Sequence, residues 1–68
     1  MRKVYLETEY GFVKLPYGIK SLKPGDRFKI VNPVSGKTVT KKNGDEILKC
    51  VREPYIDDET GEWMVQIL

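Results

Sequence analysis

Turn-forming residues interrupt this chain so often that hardly any stretch is left for a stable helix. Gly11, Gly18, Gly25, Gly36, Gly44 and Gly61, with Pro16, Pro24, Pro33 and Pro54, place a turn residue every seven to ten positions. Glycine costs about 1 kcal/mol in a helix interior and proline about 3. The gaps hold short β-branched or aromatic runs. That spacing predicts an all-β domain of short antiparallel hairpins.

The runs themselves carry the period of a half-buried sheet. In Arg27-Phe28-Lys29-Ile30-Val31, Phe28 and Ile30 fall on one face and Arg27 and Lys29 on the other. In Glu62-Trp63-Met64-Val65-Gln66-Ile67, Trp63, Val65 and Ile67 share a face, which predicts Trp63 as a core anchor. Val4 and Leu6 alternate in the same way, and Val13 with Leu15 follows a Glu9-Tyr10-Gly11 turn. Ile47, Leu48, Cys50 and Val51 break strict alternation, which reads as a bulge or a strand covered on both sides. No internal repeat or low-complexity segment stands out.

The connections have their own chemistry. Pro24-Gly25 before Asp26 is a tight-turn pair. Asn43-Gly44 suits a type I′ turn, which predicts a hairpin joining a 37–42 strand to a 46–52 strand. Thr60-Gly61 closes a third connection, from Pro54-Tyr55 through an acidic run to Trp63.

Sixty-eight residues make one domain. A chain of this size buries only about 60% of the surface its unfolded form exposes. Cys50 is the only cysteine and histidine is absent, so neither an internal disulfide nor a Cys/His zinc cage is available to reinforce it. The lone thiol points to a cytoplasmic setting. The basic start Met1-Arg2-Lys3 has no long apolar run after it, so no signal peptide is expected there. No stretch approaches the roughly 20 apolar residues of a membrane helix. No membrane association and no cofactor are expected.

The segment Ser21-Leu22-Lys23-Pro24-Gly25-Asp26-Arg27-Phe28-Lys29-Ile30-Val31 resembles the diverging turn and following strand of SH3-like small barrels. The resemblance covers these residues and implies a barrel of five or six strands. Proline-peptide recognition does not follow from it. The N-terminal aromatics Tyr5, Tyr10 and Phe12 are arranged differently, and the single tryptophan, Trp63, lies near the C-terminus. In its small size and its lysine- and tyrosine-rich style the chain is similar to small bacterial or phage-encoded proteins. That likeness implies an accessory or host-modulating role.

Catalysis is not expected. Nucleophilic triads and most acid–base schemes lean on histidine. Cys50 sits in an apolar run and reads as a buried structural thiol. The acidic run Asp57-Asp58-Glu59-Thr60-Gly61-Glu62 lacks the spacing of an EF-hand and reads as a solvated hairpin loop rather than a metal site.

Charge is the most informative functional signal. The net charge is +2, but residues 1–44 carry ten basic groups against three acids, and residues 45–68 carry two against seven. The candidate binding surface is the basic hairpin Lys37, Thr38, Thr40, Lys41 and Lys42, extended by Lys14, Lys20, Lys23, Arg27 and Lys29, with Tyr5, Tyr10, Phe12, Tyr17 and Tyr55 as candidate platforms. Lysines and hydroxyls suit a phosphate backbone, and aromatics suit stacked bases. The competing explanation is that the lysines protect strand edges from aggregation and the tyrosines cap a small core. The first expectation is therefore a protein-interaction module using a strand edge, loop or aromatic face. The second is nucleic-acid binding through the basic 1–44 half. The third is self-assembly into a dimer or ring.

Overall fold

A computed structural model describes residues 2–68. Six strands form in chain order: β1 (Lys3–Thr8), β2 (Gly11–Lys14), β3 (Arg27–Val31), β4 (Leu48–Lys49), β5 (Tyr55–Ile56) and β6 (Trp63–Met64). A single 3-10 turn, Gly18–Ser21, lies between β2 and β3. All pairing is antiparallel. The strands make a four-stranded sheet in the order β2-β1-β3-β4 and a separate two-stranded sheet of β5 and β6. The chain is thus all-β, with two sheets in place of one closed ring of hydrogen bonds. No helix among the described residues is long and apolar enough to cross a membrane.

Register builds the core in rows. Leu6 sits opposite both Val13 and Phe28, and Phe28 opposite Leu48, so one row runs Leu6, Phe28, Leu48, with Val13 exposed at its open edge. Val4 sits opposite Ile30, with Leu15 and Val39 hydrogen-bonded beyond them at 2.9 and 2.8 Å. Val4, Leu22, Phe28, Ile30, Leu48 and Cys50 are buried, and Leu6, Leu15, Ile19, Val39 and Val65 pack against them. Phe28 is wholly inaccessible, as the alternation in β3 requires. Leu22 and Ile19 come from the 3-10 turn and its exit, so that turn is the lid on the sheet's inner face. In the region of uneven pattern, Leu48 and Cys50 face inward and Lys49 outward, leaving half-buried Ile47 as the residue out of phase. The Cys50 thiol is buried and donates to the carbonyl of Arg52 at 2.9 Å.

Two expectations fail, each for a definite reason. Trp63 is not a core anchor: it is 42% exposed, and Ile67 is exposed as well. The C-terminal run changes partners midway. Trp63 and Met64 pair with β5, whereas Val51 and Leu68 donate to Gln66 and Lys49 at 3.1 and 3.0 Å, pairing residues 66–68 with 49–51. Val65 is the crossover, and of the three alternating residues only it packs on the core. The 37–42 segment is not one strand leading into a type I′ turn either. Thr38 bridges Val31 in β3, and only then does the chain turn. Asn43 keeps a negative φ while Gly44 takes +87°. Gly44 donates to Lys41 and Lys41 to Asp45, both at 2.9 Å, which is a three-residue loop closed by a left-handed glycine.

Two other hairpin loops share one hydrogen-bond plan. Asn32 Oδ1 accepts the N–H of Val34 and Ser35, Ser35 Oγ accepts Lys37 N–H, and Gly36 donates to the Asn32 carbonyl. Asp57 Oδ1 accepts Glu59 and Thr60, Thr60 Oγ1 accepts Glu62, and Gly61 donates to Asp57. The shared signature is Asn or Asp, two residues, Ser or Thr, then a glycine at φ near +73° or +72°.

These packing differences set the expected stabilities. Phe28→Ala should lose about 3–5 kcal/mol and leave the domain largely unfolded in water. Trp63→Ala should lose about 1–2 kcal/mol, in line with partial burial, and remain folded. Urea unfolding followed by circular dichroism separates the two, and equal losses would contradict this packing.

Candidate nucleic-acid interface

The alternation that buries Phe28 and Ile30 necessarily turns Arg27 and Lys29 to the other side of the sheet. Register then assembles their neighbours. Tyr5 lies opposite Lys14 on one side and Lys29 on the other. Phe12 lies opposite Glu7, Lys49 opposite Arg27, and Lys3 opposite Val31. The outer face of one small sheet therefore carries five cations, Lys3, Lys14, Arg27, Lys29 and Lys49, with two aromatics, Tyr5 and Phe12, among them. Glu7 is the one carboxylate on these strands' outer face.

Lys29 is the centre of this surface. Its ammonium lies 4.2 Å from the centroid of the Phe12 ring and 5.7 Å from that of Tyr5. Cation–π attraction at such distances is worth about 0.5–1 kcal/mol at an exposed site, enough to orient the side chain and little enough to be exchanged. Phe12 is 41% exposed, so its ring is a half-open platform. Arg27 Nε is 3.1 Å from Glu7 Oε1, with both side chains solvent-accessible. An exposed pair of this kind contributes at most about 1 kcal/mol, so Arg27 is held in place without being consumed. Neighbouring strands stand about 4.8 Å apart and same-face residues along a strand about 6.6 Å apart, so the cations form a lattice rather than a line.

The candidate residues read from the sequence do not form one patch. Arg27 and Lys29 are at the centre of the outer face, and Thr38, bridged to Val31, reaches its border. Lys37 lies at the end of the 32–37 loop, while Thr40, Lys41 and Lys42 line a separate shallow cleft with Asn43 and Ile67. Tyr10, at 96% exposure, is the tip of the β1–β2 hairpin, beyond the sheet. Tyr17 is beside the 3-10 turn with Lys20 5.6 Å over its ring, and Tyr55 is in β5 with Arg52 5.0 Å over its ring. The structure does not bring Tyr17 or Tyr55 to the basic sheet face. Lys3, Tyr5, Phe12, Lys14 and Lys49 complete that face. Tyr5, Phe12 and Lys14 are among the aromatics and cations the sequence offers; that Lys3 and Lys49 join them depends on strand register.

Among the described residues, no group of three or more Cys, Asp or Glu side chains is arranged to hold a metal ion. No family model, characterised protein or solved structure matches the chain.

The outer-face groups are not part of the packed core. Phe12→Ala and Lys29→Gln should each change stability by no more than about 0.5–1 kcal/mol, read as a small shift in thermal midpoint. A loss comparable to that of Phe28→Ala would mean these side chains hold the fold together.

Proposed function

We propose that this chain is a non-enzymatic binding module, an SH3-like small barrel, whose outer sheet face holds single-stranded nucleic acid. The observation that carries the reading is the Lys29 ammonium between Phe12 and Tyr5, framed by Lys3, Lys14, Arg27 and Lys49 on the same face. Phosphates meet the cations. As Lys29 moves from ring to phosphate, the Phe12 face opens to a base. Such stacking accepts any base, because every base has a π-face, so the contact is sequence-tolerant. Duplex keeps its bases stacked on one another and offers the two rings nothing comparable. The proposed setting is cytoplasmic, in keeping with a single unpaired thiol.

A protein partner is the second reading, and a specific surface favours it. Ile56 and Trp63 are opposite one another on the β5–β6 hairpin, 53% and 42% exposed, so two large apolar side chains stand side by side at the surface.

Fluorescence anisotropy with a short labelled oligothymidylate tests the first reading. For three to five phosphate contacts, the plot of log affinity against log salt should fall with a slope of about −2 to −3.5. Lys14→Glu and Lys29→Glu should each flatten that slope by about 0.7 or more. Phe12→Ala should weaken binding by about 1–3 kcal/mol with the slope kept. Absence of binding at micromolar protein in low salt would overturn the reading, as would affinity untouched by reversing these charges.

A further inference from the structure

The outer face of the four-stranded sheet and the β5–β6 hairpin lie on opposite sides of the sheet, although Lys49 of the acidic half of the sequence belongs to the basic face. The basic groups described above lie on the outer face of the four-stranded sheet. The β5–β6 hairpin lies over the inner face: Val65 packs on the core, and Met64 lines an apolar cleft of about 340 Å3 together with Val4, Ile19 and Ile30. Met64 therefore points toward the sheet, and Tyr55, its partner across the ribbon, shares that face while staying half exposed. Ile56 and Trp63, on the alternate face of the same ribbon, point away from it. Beside them the loop carries Asp58 and Glu59, both exposed. One side of the molecule thus presents an apolar, aromatic pair edged with carboxylates, and the far side presents aromatics edged with ammonium groups.

We propose that the Ile56–Trp63 side of one copy docks on the Phe12–Lys29 side of a second copy, head to tail. The chemistry is complementary at each contact. The Trp63 ring meets Phe12 and the Lys29 ammonium, for which indole is the best aromatic partner. Asp58 and Glu59 meet Lys14 and its neighbours on the basic face, which sets orientation and partner choice. Because the two surfaces face opposite ways, a molecule cannot satisfy itself. Because they differ, the contact is heterologous, and repetition gives a ring or an open chain rather than a symmetric pair. This inference does not rest on nucleic-acid binding, although both uses of the basic face exclude each other. An oligonucleotide on that face removes one end of every contact.

Sedimentation velocity of the purified chain at low salt, over a concentration series, tests the proposal. The mean mass should rise past that of a dimer and return to monomer as salt is raised. Trp63→Ala, which spoils only one end, and Lys29→Glu, which spoils only the other, should each lower the association constant about tenfold or more. Lys14→Glu serves as a second face variant, and circular dichroism confirms that each variant is folded. The decisive sample is the equimolar mixture of Trp63→Ala and Lys29→Glu: each retains the end that the other lacks, so they should form one-to-one dimers and nothing larger. The proposal is overturned by a wild-type monomer throughout, which would leave the Ile56–Trp63 surface to a different protein. It is equally overturned by a wild-type dimer that grows no further, or by a mixture in which both variants stay monomeric.

Discussion

The burial of Phe28 is the constraint on which both sides of this molecule depend. Its ring lies in a row with Leu6 and Leu48, contributed by three strands, and is wholly shielded from water. Because side chains in a strand alternate, fixing Phe28 and Ile30 inward fixes Arg27 and Lys29 outward. A slip of one residue in β3 would put two cations into the core and two large apolar groups into water, at a cost far above the margin of a small domain. The candidate surface is in this sense a by-product of the core: the packing that stabilises the sheet also positions its cations.

One cysteine and no histidine leave neither an internal disulfide nor a Cys/His cage to draw on, and local ties supply part of the cohesion. The 3-10 turn contributes Ile19 and, at its exit, Leu22 to close the inner face. Loops are tied locally by Asn32, Asp57 and their partner hydroxyls. An isolated two-stranded hairpin is marginal in water, and β5–β6 is such a hairpin, attached through Val65 and Met64. It is therefore the part of the fold whose opening costs least, and the part with most to gain from a partner.

What the sequence displays and what it hides follow from the range of the physics involved. Phe28 and Ile30 are legible because alternation within five residues is a local fact, as is the Pro24-Gly25 turn, where Asp26 donates to Lys23 at 3.0 Å. Arg27 and Lys29 inherit their outward direction from the same pattern. Trp63 misleads because its alternation with Val65 and Ile67 is equally clean, yet alternation says nothing of a strand that changes partner between Met64 and Gln66. Lys3 and Lys49 were hidden for a related reason. Their place beside Lys29 depends on register among strands distant in sequence, which no single segment encodes. Conversely, Tyr17, Tyr55 and the 40–42 segment have suitable chemistry but lie elsewhere on the surface.

The proposed nucleic-acid surface is one sheet face, set by the alternation in β3. Amide and side-chain chemical shifts, followed by NMR as unlabelled oligothymidylate is added at low salt, test it residue by residue. The largest changes should fall on Tyr5, Phe12, Lys14, Arg27, Lys29 and Lys49, with the buried signals of Phe28 and Leu48 little moved. Changes concentrated on residues 40–43 or on the β5–β6 hairpin, with Phe12 and Lys29 unaffected, would contradict it.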